Sequence, residues 1–154
     1  MRKTIKQVFT EFLGEKKKEL APRTYEYYNE AIRFLEHCIN GYGYNTLDEK
    51  DAKKFDENFE KGIEFCDTFE PQILDSSNFS EFLGYYYPKK VAWGRDRAKK
   101  ICGATIALYK WMVKNKHILQ EEDGDAIELR ESVNYLREAL KEGMEEFCSF
   151  DDEL

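Results

Sequence analysis

Six cations stand close together in the chain: Lys89, Lys90, Arg95, Arg97, Lys99 and Lys100. Such a group before and around a helix start is suited to phosphate contact, because the first-turn N–H groups already favour an anion. A second group, Lys17, Lys18 and Arg23, flanks a candidate interhelix loop. The first run can instead pair with an acidic helix further along, and both readings need the same spatial cluster. Aromatic residues are interleaved with the basic ones. Tyr85, Tyr87 and Trp93 are candidates for contact with a partner, by stacking on bases or packing on protein. A run such as Tyr85–Tyr86–Tyr87 more often buries one or two rings and exposes the third. Trp111, near a helix end, reads as core.

No residues are arranged for catalysis. No P-loop, G-x-S-x-G, H-E-x-x-H or Gly-rich dinucleotide turn occurs. The cysteines, Cys38, Cys66, Cys102 and Cys148, are at least 28 residues apart, so no zinc-type or redox pair forms. They read as buried or half-buried free thiols in a reducing compartment. His37 and His117 are isolated and read as helix-end residues rather than ligands. Paired acids such as Glu121-Glu122 and Asp151-Asp152 read as solvated surface. No metal, no small-molecule cofactor and no enzymatic activity are expected.

The elements that must position the basic residues come from charge and periodicity. The chain has 154 residues and a net charge of −7, enough length for one domain with a real core. No apolar run approaches a membrane span, and the opening MRKTIKQVFTEFLGEKKK is too charged for a signal peptide. A cytoplasmic protein is expected. The net charge opposes nucleic-acid binding, but it is unevenly spread. Residues 1–33 carry +3, 34–84 carry −8, 85–118 carry +8 and 119–154 carry −10.

Hydrophobic spacing gives five or six helices and no strand. Thr4 and Gln7 form a capping box ahead of Ile5, Val8, Phe9, Phe12 and Leu13. Pro22 opens a second helix with Tyr25, Tyr28, Ile32 and Leu35, broken by Gly41 and Gly43. Thr46 and Glu49 form another capping box, opening an acidic outer helix to about Phe69. Its stripe is Phe55, Phe59, Ile63 and Cys66. Ser76 or Ser77 caps a short helix with Phe79, Phe82, Leu83 and Tyr86, stopped by Pro88. The strongest pattern runs from about Gly94 to Lys116. Two adjacent rows, Ile101-Thr105-Leu108-Met112 and Cys102-Ile106-Tyr109-Val113, make this helix central. A last helix, about 125–148, carries a near-heptad seam of Leu129, Val133, Leu136, Leu140, Met144 and Phe147. That seam packs over the bundle or against a second copy. Residues 149–154 should fray.

The order of these signals resembles the core-binding domain of tyrosine recombinases and phage integrases over residues 4–118. Its first helical pair is matched by TIKQVFTEFLGEKKKELAPRTYEYYNEAIRFLEHCI, with Phe12-Leu13, Thr24, Tyr28 and Ile32-Arg33-Phe34-Leu35 at the typical positions. FSEFLGYYYPKK resembles its short third helix. ICGATIALYKWMVKNKHI resembles its last, through Tyr109, Trp111 and Met112. The resemblance implies a SAM-like four-helix bundle that clamps one side of a DNA duplex through basic side chains. In that family the chemistry belongs to a separate C-terminal domain.

This chain departs from the pattern in two places. The acidic helix at 48–69 looks inserted after helix 2, and an acidic C-terminal helix at 121–148 stands where the catalytic domain follows. The family's His-x-x-Arg is absent, and Tyr135 near Arg130 and Arg137 has no clamp of donors around it. Recombinase activity is not expected.

The reading is therefore an all-α, compact, non-catalytic DNA-binding module of recombinase core-binding type. Contacts would come from Lys89, Lys90, Arg95, Arg97, Lys99 and Lys100, with Lys17, Lys18 and Arg23 as a second patch. The alternative is a protein–protein adaptor or regulatory module on the same scaffold, without DNA, or one that self-associates through the C-terminal helix. One basic face free of carboxylates favours the first. Basic residues already paired to the acidic helices favour the second.

Overall fold

The computed structural model describes residues 2–91, 94–118 and 126–147, with the backbone alone at 126–128. Every regular element among them is helical: α1 (Ile5–Glu19), α2 (Pro22–Tyr42), α3 (Glu49–Glu60), α4 (Phe65–Thr68), α5 (Ser76–Glu81), α6 (Tyr87–Lys90), α7 (Arg95–Lys114) and α8 (Ala126–Phe147). Short 3-10 turns at Gly43–Thr46 and Pro71–Ile73 and a π turn at Phe82–Tyr86 complete the path. Trp93, Cys148 and the tail 149–154 lie outside the described residues.

α1 begins as its capping box requires. Thr4 Oγ1 accepts from the Gln7 N–H at 3.2 Å, and Gln7 Oε1 accepts from the Thr4 N–H at 2.9 Å. Pro22 sits in the first turn of α2. Ile5, Val8, Phe9 and Phe12 of α1 meet Ala31, Ile32, Leu35, Cys38 and Ile39 of α2 in one buried cluster. α7 contributes nine buried residues, seven of them on the two expected rows, and lies against α2, so it is central.

The acidic stretch is not one helix. α3 ends at Glu60, and the Gly62 and Ile63 N–H groups return to the carbonyls of Phe59 and Asn58, each at 2.9 Å. Gly62 takes the left-handed conformation, φ +82°, that this double return needs. Ile63 and Cys66 therefore leave the stripe, and Cys66 joins the core on α4. There its N–H donates to Asn40 Oδ1 at 2.9 Å.

Two caps also differ from expectation. Asp48, not Thr46, caps α3, its Oδ1 accepting from the Asp51 N–H at 2.8 Å. Thr46 donates instead to the Gly43 carbonyl inside the 3-10 turn. Asp75, not Ser76 or Ser77, caps α5, with Asn78 closing the box. A carboxylate is the stronger acceptor at both places.

Pro88 does not end the short helix. The chain widens into the π turn at Phe82–Tyr86 and continues through Pro88 in α6. In a regular α-helix the Pro88 ring would meet the Gly84 carbonyl. Here α8 comes to that carbonyl with Gly143, so closely that a Cβ at 143 would stand 2.2 Å from the Gly84 oxygen.

α8 packs in cis over α5, the π turn, α6 and α7. Val133, Leu136 and Leu140 are buried, and Leu129 and Met144 lie against the same core. Its seam belongs to the hydrophobic cluster that begins at Ile5. Among the described residues no helix is long and apolar enough to cross a membrane.

Candidate nucleic-acid interface

α2 is the element that organises the basic residues. Near its N-terminus Tyr27 carries the Lys100 ammonium 5.2 Å above its ring centre, a cation–π contact. One turn later Glu30 accepts from Arg97 Nε at 2.8 Å and makes a second, closer contact with Arg97 Nη2. That carboxylate holds the guanidinium pKa above its ordinary value. Arg23 lies one turn before Tyr27 and is exposed. The neighbouring Tyr28 ring stacks on Phe12 (6.1 Å), whose other side meets Trp111 edge-on at 5.3 Å. Trp111 is half-buried there and also faces His117. Lys16 sits over Phe12 at 5.5 Å, one turn before the α1–α2 loop, and pairs with Glu19. The aromatic packing of α1, α2 and α7 thus brings Lys17, Lys18 and Arg23 to the same end of the bundle as Lys100.

The exposed arc of α7 completes the surface. Lys99 and Lys100 stand at one end, Lys110 and Lys114 at the other, with exposed Gly103 and half-buried Ala107 between them. Residues 100, 103, 107, 110 and 114 follow the three-four alternation of one helix face. Among the described residues, no carboxylate forms an ion pair with Lys17, Lys18, Arg23, Lys99, Lys100, Lys110 or Lys114. Lys114 and the open middle of this face were legible from spacing but escape a search for consecutive basic residues. Asp96, the one acid of the 85–118 segment, is exposed on this same face one turn before Lys100.

Lys89 does not join this face, and Lys90 lies near Tyr86, whose ring meets Tyr42 at the other end of α2 at 6.0 Å. Lys89 Nζ donates to the Tyr85 hydroxyl at 3.0 Å, lies 4.9 Å above the Tyr85 ring centre and 6.0 Å from that of Phe147. The hydroxyl oxygen raises the ammonium pKa. Tyr85 in turn meets Tyr42 at the far end of α2, at 6.2 Å. From Tyr27 to Tyr42 is fifteen residues of helix, roughly 22 Å. The six-residue basic run is therefore divided between the two ends of α2. Arg97 faces Glu30, and Arg95 is exposed but engaged in an interaction of its own.

The tyrosine candidates are corrected in the same way. Tyr87 has 0% exposure and packs edge-on against Phe34 and Phe82, so it belongs to the core rather than to an exposed contact surface. Tyr85 is half-buried between Tyr42 and Phe147 and helps hold the end of α8. All three consecutive rings, Tyr85, Tyr86 and Tyr87, meet other rings of the protein.

Cys38, Cys66 and Cys102 are buried free thiols, and burial pushes Cys38 up to about 12 and Cys102 up to about 11. Burial raises Cys66 further, with Glu36 adding to it. Such thiols are protonated and unreactive at neutral pH. Burial lowers His117. Among the described residues no group of His, Cys, Asp and Glu could hold a metal ion.

Compared with known proteins, the chain matches no family model, no curated protein and no solved structure.

Proposed function

We propose that the chain is a non-catalytic DNA-binding module that meets duplex phosphates through the exposed face of α7, flanked by the start of α2. The carrying observation is that Lys99, Lys100, Lys110 and Lys114 share one face on which Asp96 is the one acid of α7 and forms no ion pair with them, while the acids of α3 and α8 are on other elements. Small residues at Gly103 and Ala107 leave the middle of that face low, so a sugar–phosphate strand can approach between the lysine pairs. Arg23, Lys17 and Lys18 extend the contact around the α1–α2 loop. The resemblance to the recombinase core-binding bundle supports the same surface. Backbone contacts of this kind position a duplex and carry no sequence information by themselves.

The test is fluorescence anisotropy with random-sequence duplex DNA over a salt series. Binding at low salt is expected, falling linearly on a log–log plot. Lys100→Ala with Lys110→Ala should weaken binding equally across sequences and reduce the salt slope by about one per lost phosphate contact. Lys89→Ala should leave the slope unchanged, because Lys89 belongs to the other end of α2. Absence of duplex binding at low salt would overturn the proposal in favour of an adaptor.

A further inference from the structure

α3 is the element that duplex binding leaves unused. It buries a single side chain, Phe55. Phe59 is 61% exposed and Tyr44, just before the helix, is 44% exposed. Both rings rest on Phe55, at 5.6 and 5.5 Å between centres, and Phe55 rests on Phe65 of the core at 5.7 Å. The rings form a ladder from the interior to solvent.

The charges beside that ladder are mainly acidic. Glu49, Asp56 and Glu60 fall on one flank of Phe59 by the helical repeat of 3.6. All three are exposed, and none has an ion pair among the described residues. Asp56 and Glu60, one turn apart, repel each other. Lys53, one turn after Glu49, lies at the outer edge of that flank, Asp51 lies on the other flank, and Lys50 and Lys54 are on the back of the helix, where Lys54 sits over the Phe69 ring at 5.5 Å. Exposed rings next to unpaired like charges cost stability in the isolated chain and are repaid when a complementary surface covers them.

We propose that Tyr44 and Phe59, bordered by Glu49, Asp56 and Glu60, dock a basic amphipathic segment of a protein partner. The occupant needs an apolar side chain to cover the rings and Lys or Arg beside it to meet the carboxylates. Nucleic acid is repelled by this flank. A second copy of the chain fits less well, since its own unpaired lysines border Gly103 and Ala107 and offer no large apolar anchor. The docking face lies at the opposite end of α2 from Lys100. Gly43 is sixteen residues from Tyr27, about 24 Å along the helix. Partner and duplex can therefore bind together.

A labelled helical peptide of Lys and Leu, with the leucines on one face, is the probe. Its scrambled isomer is the control. Anisotropy with the full chain should show binding at low salt, about tenfold weaker for Phe59→Ala and lost in the double variant Asp56→Lys, Glu60→Lys. Both variants should keep the native circular dichroism, because these side chains are exposed. The scrambled peptide should bind at least about tenfold more weakly. No peptide binding, equal binding of the scrambled peptide, or an unchanged affinity in Phe59→Ala would overturn the proposal. A concentration-dependent dimer of the chain alone that Phe59→Ala dissolves would also overturn it, by giving the face to a second copy.

Discussion

A Cβ at Gly143 would stand 2.2 Å from the Gly84 carbonyl oxygen and 2.8 Å from Pro88 Cγ. Neither atom can yield without moving backbone or a proline ring, so Gly143→Ala should destabilise by about 1–3 kcal/mol. Gly103 has nothing within 4 Å of such an atom and lies inside α7. Gly103→Ala should therefore raise stability by up to about 1 kcal/mol, since alanine is the better helix former. Thermal unfolding of the two variants checks both signs. The thiols set a pH limit. Cys38 and Cys102 are raised from an ordinary value of 9.0 to about 12 and about 11, and Cys66 is raised as well. Well below pH 9 native and unfolded thiols are both protonated and stability is unaffected. As pH rises through 9 the unfolded thiols lose protons that the native ones keep, so stability falls by up to about 1.4 kcal/mol per pH unit for each, with Cys102 levelling off as pH approaches 11. Urea unfolding between pH 8 and 10.5 should show this slope, and Cys102→Ala should remove about one proton's share of it.

Among the elements, α8 has the most consequential placement. Its buried Val133, Leu136 and Leu140 pack on the α5–α6 stretch that carries Phe79, Phe82, Leu83 and Tyr87. Lys89, Tyr85 and Phe147 tie its C-terminal end to that stretch. Removing residues 121–154 should therefore unfold the chain or leave a state that binds hydrophobic dye, read by near-ultraviolet circular dichroism. Truncation is not a clean way to ask whether the acidic helix weakens DNA binding. α3 is the opposite case. Its single buried side chain and its closure at Gly62 make it a peripheral addition, and substitutions on its outer face should leave unfolding unchanged within about 0.5 kcal/mol.

For the whole molecule the relevant quantity is where the net −7 sits. The cleaner test of long-range repulsion keeps α8 and neutralises its exposed acids. Glu138→Gln, Glu142→Gln, Glu145→Gln and Glu146→Gln together should raise duplex affinity at low salt, with the gain vanishing as screening shortens the field. Unchanged affinity at low salt would show that α8 does not oppose the α7 face. Much of this molecule was legible without coordinates. The apolar rows of α1, α2, α7 and α8, the Thr4–Gln7 box and the Pro22 start are local or periodic signals, and periodicity survives in any fold that buries one face. The π turn was not legible, because a proline inside a helical pattern reads as the end of the helix. Nor was the burial of Tyr87, which rests on its packing against Phe34 of α2. The basic run read as one cluster because its members are neighbours in sequence. α2 separates Lys89 from Lys100, since each ammonium settles on the aromatic ring that packing brings to it. Helical content and the segregation of charge are properties of the sequence by itself. Which cations share a face depends on how α2, α7 and α8 cross, a non-local matter that only the tertiary structure decides.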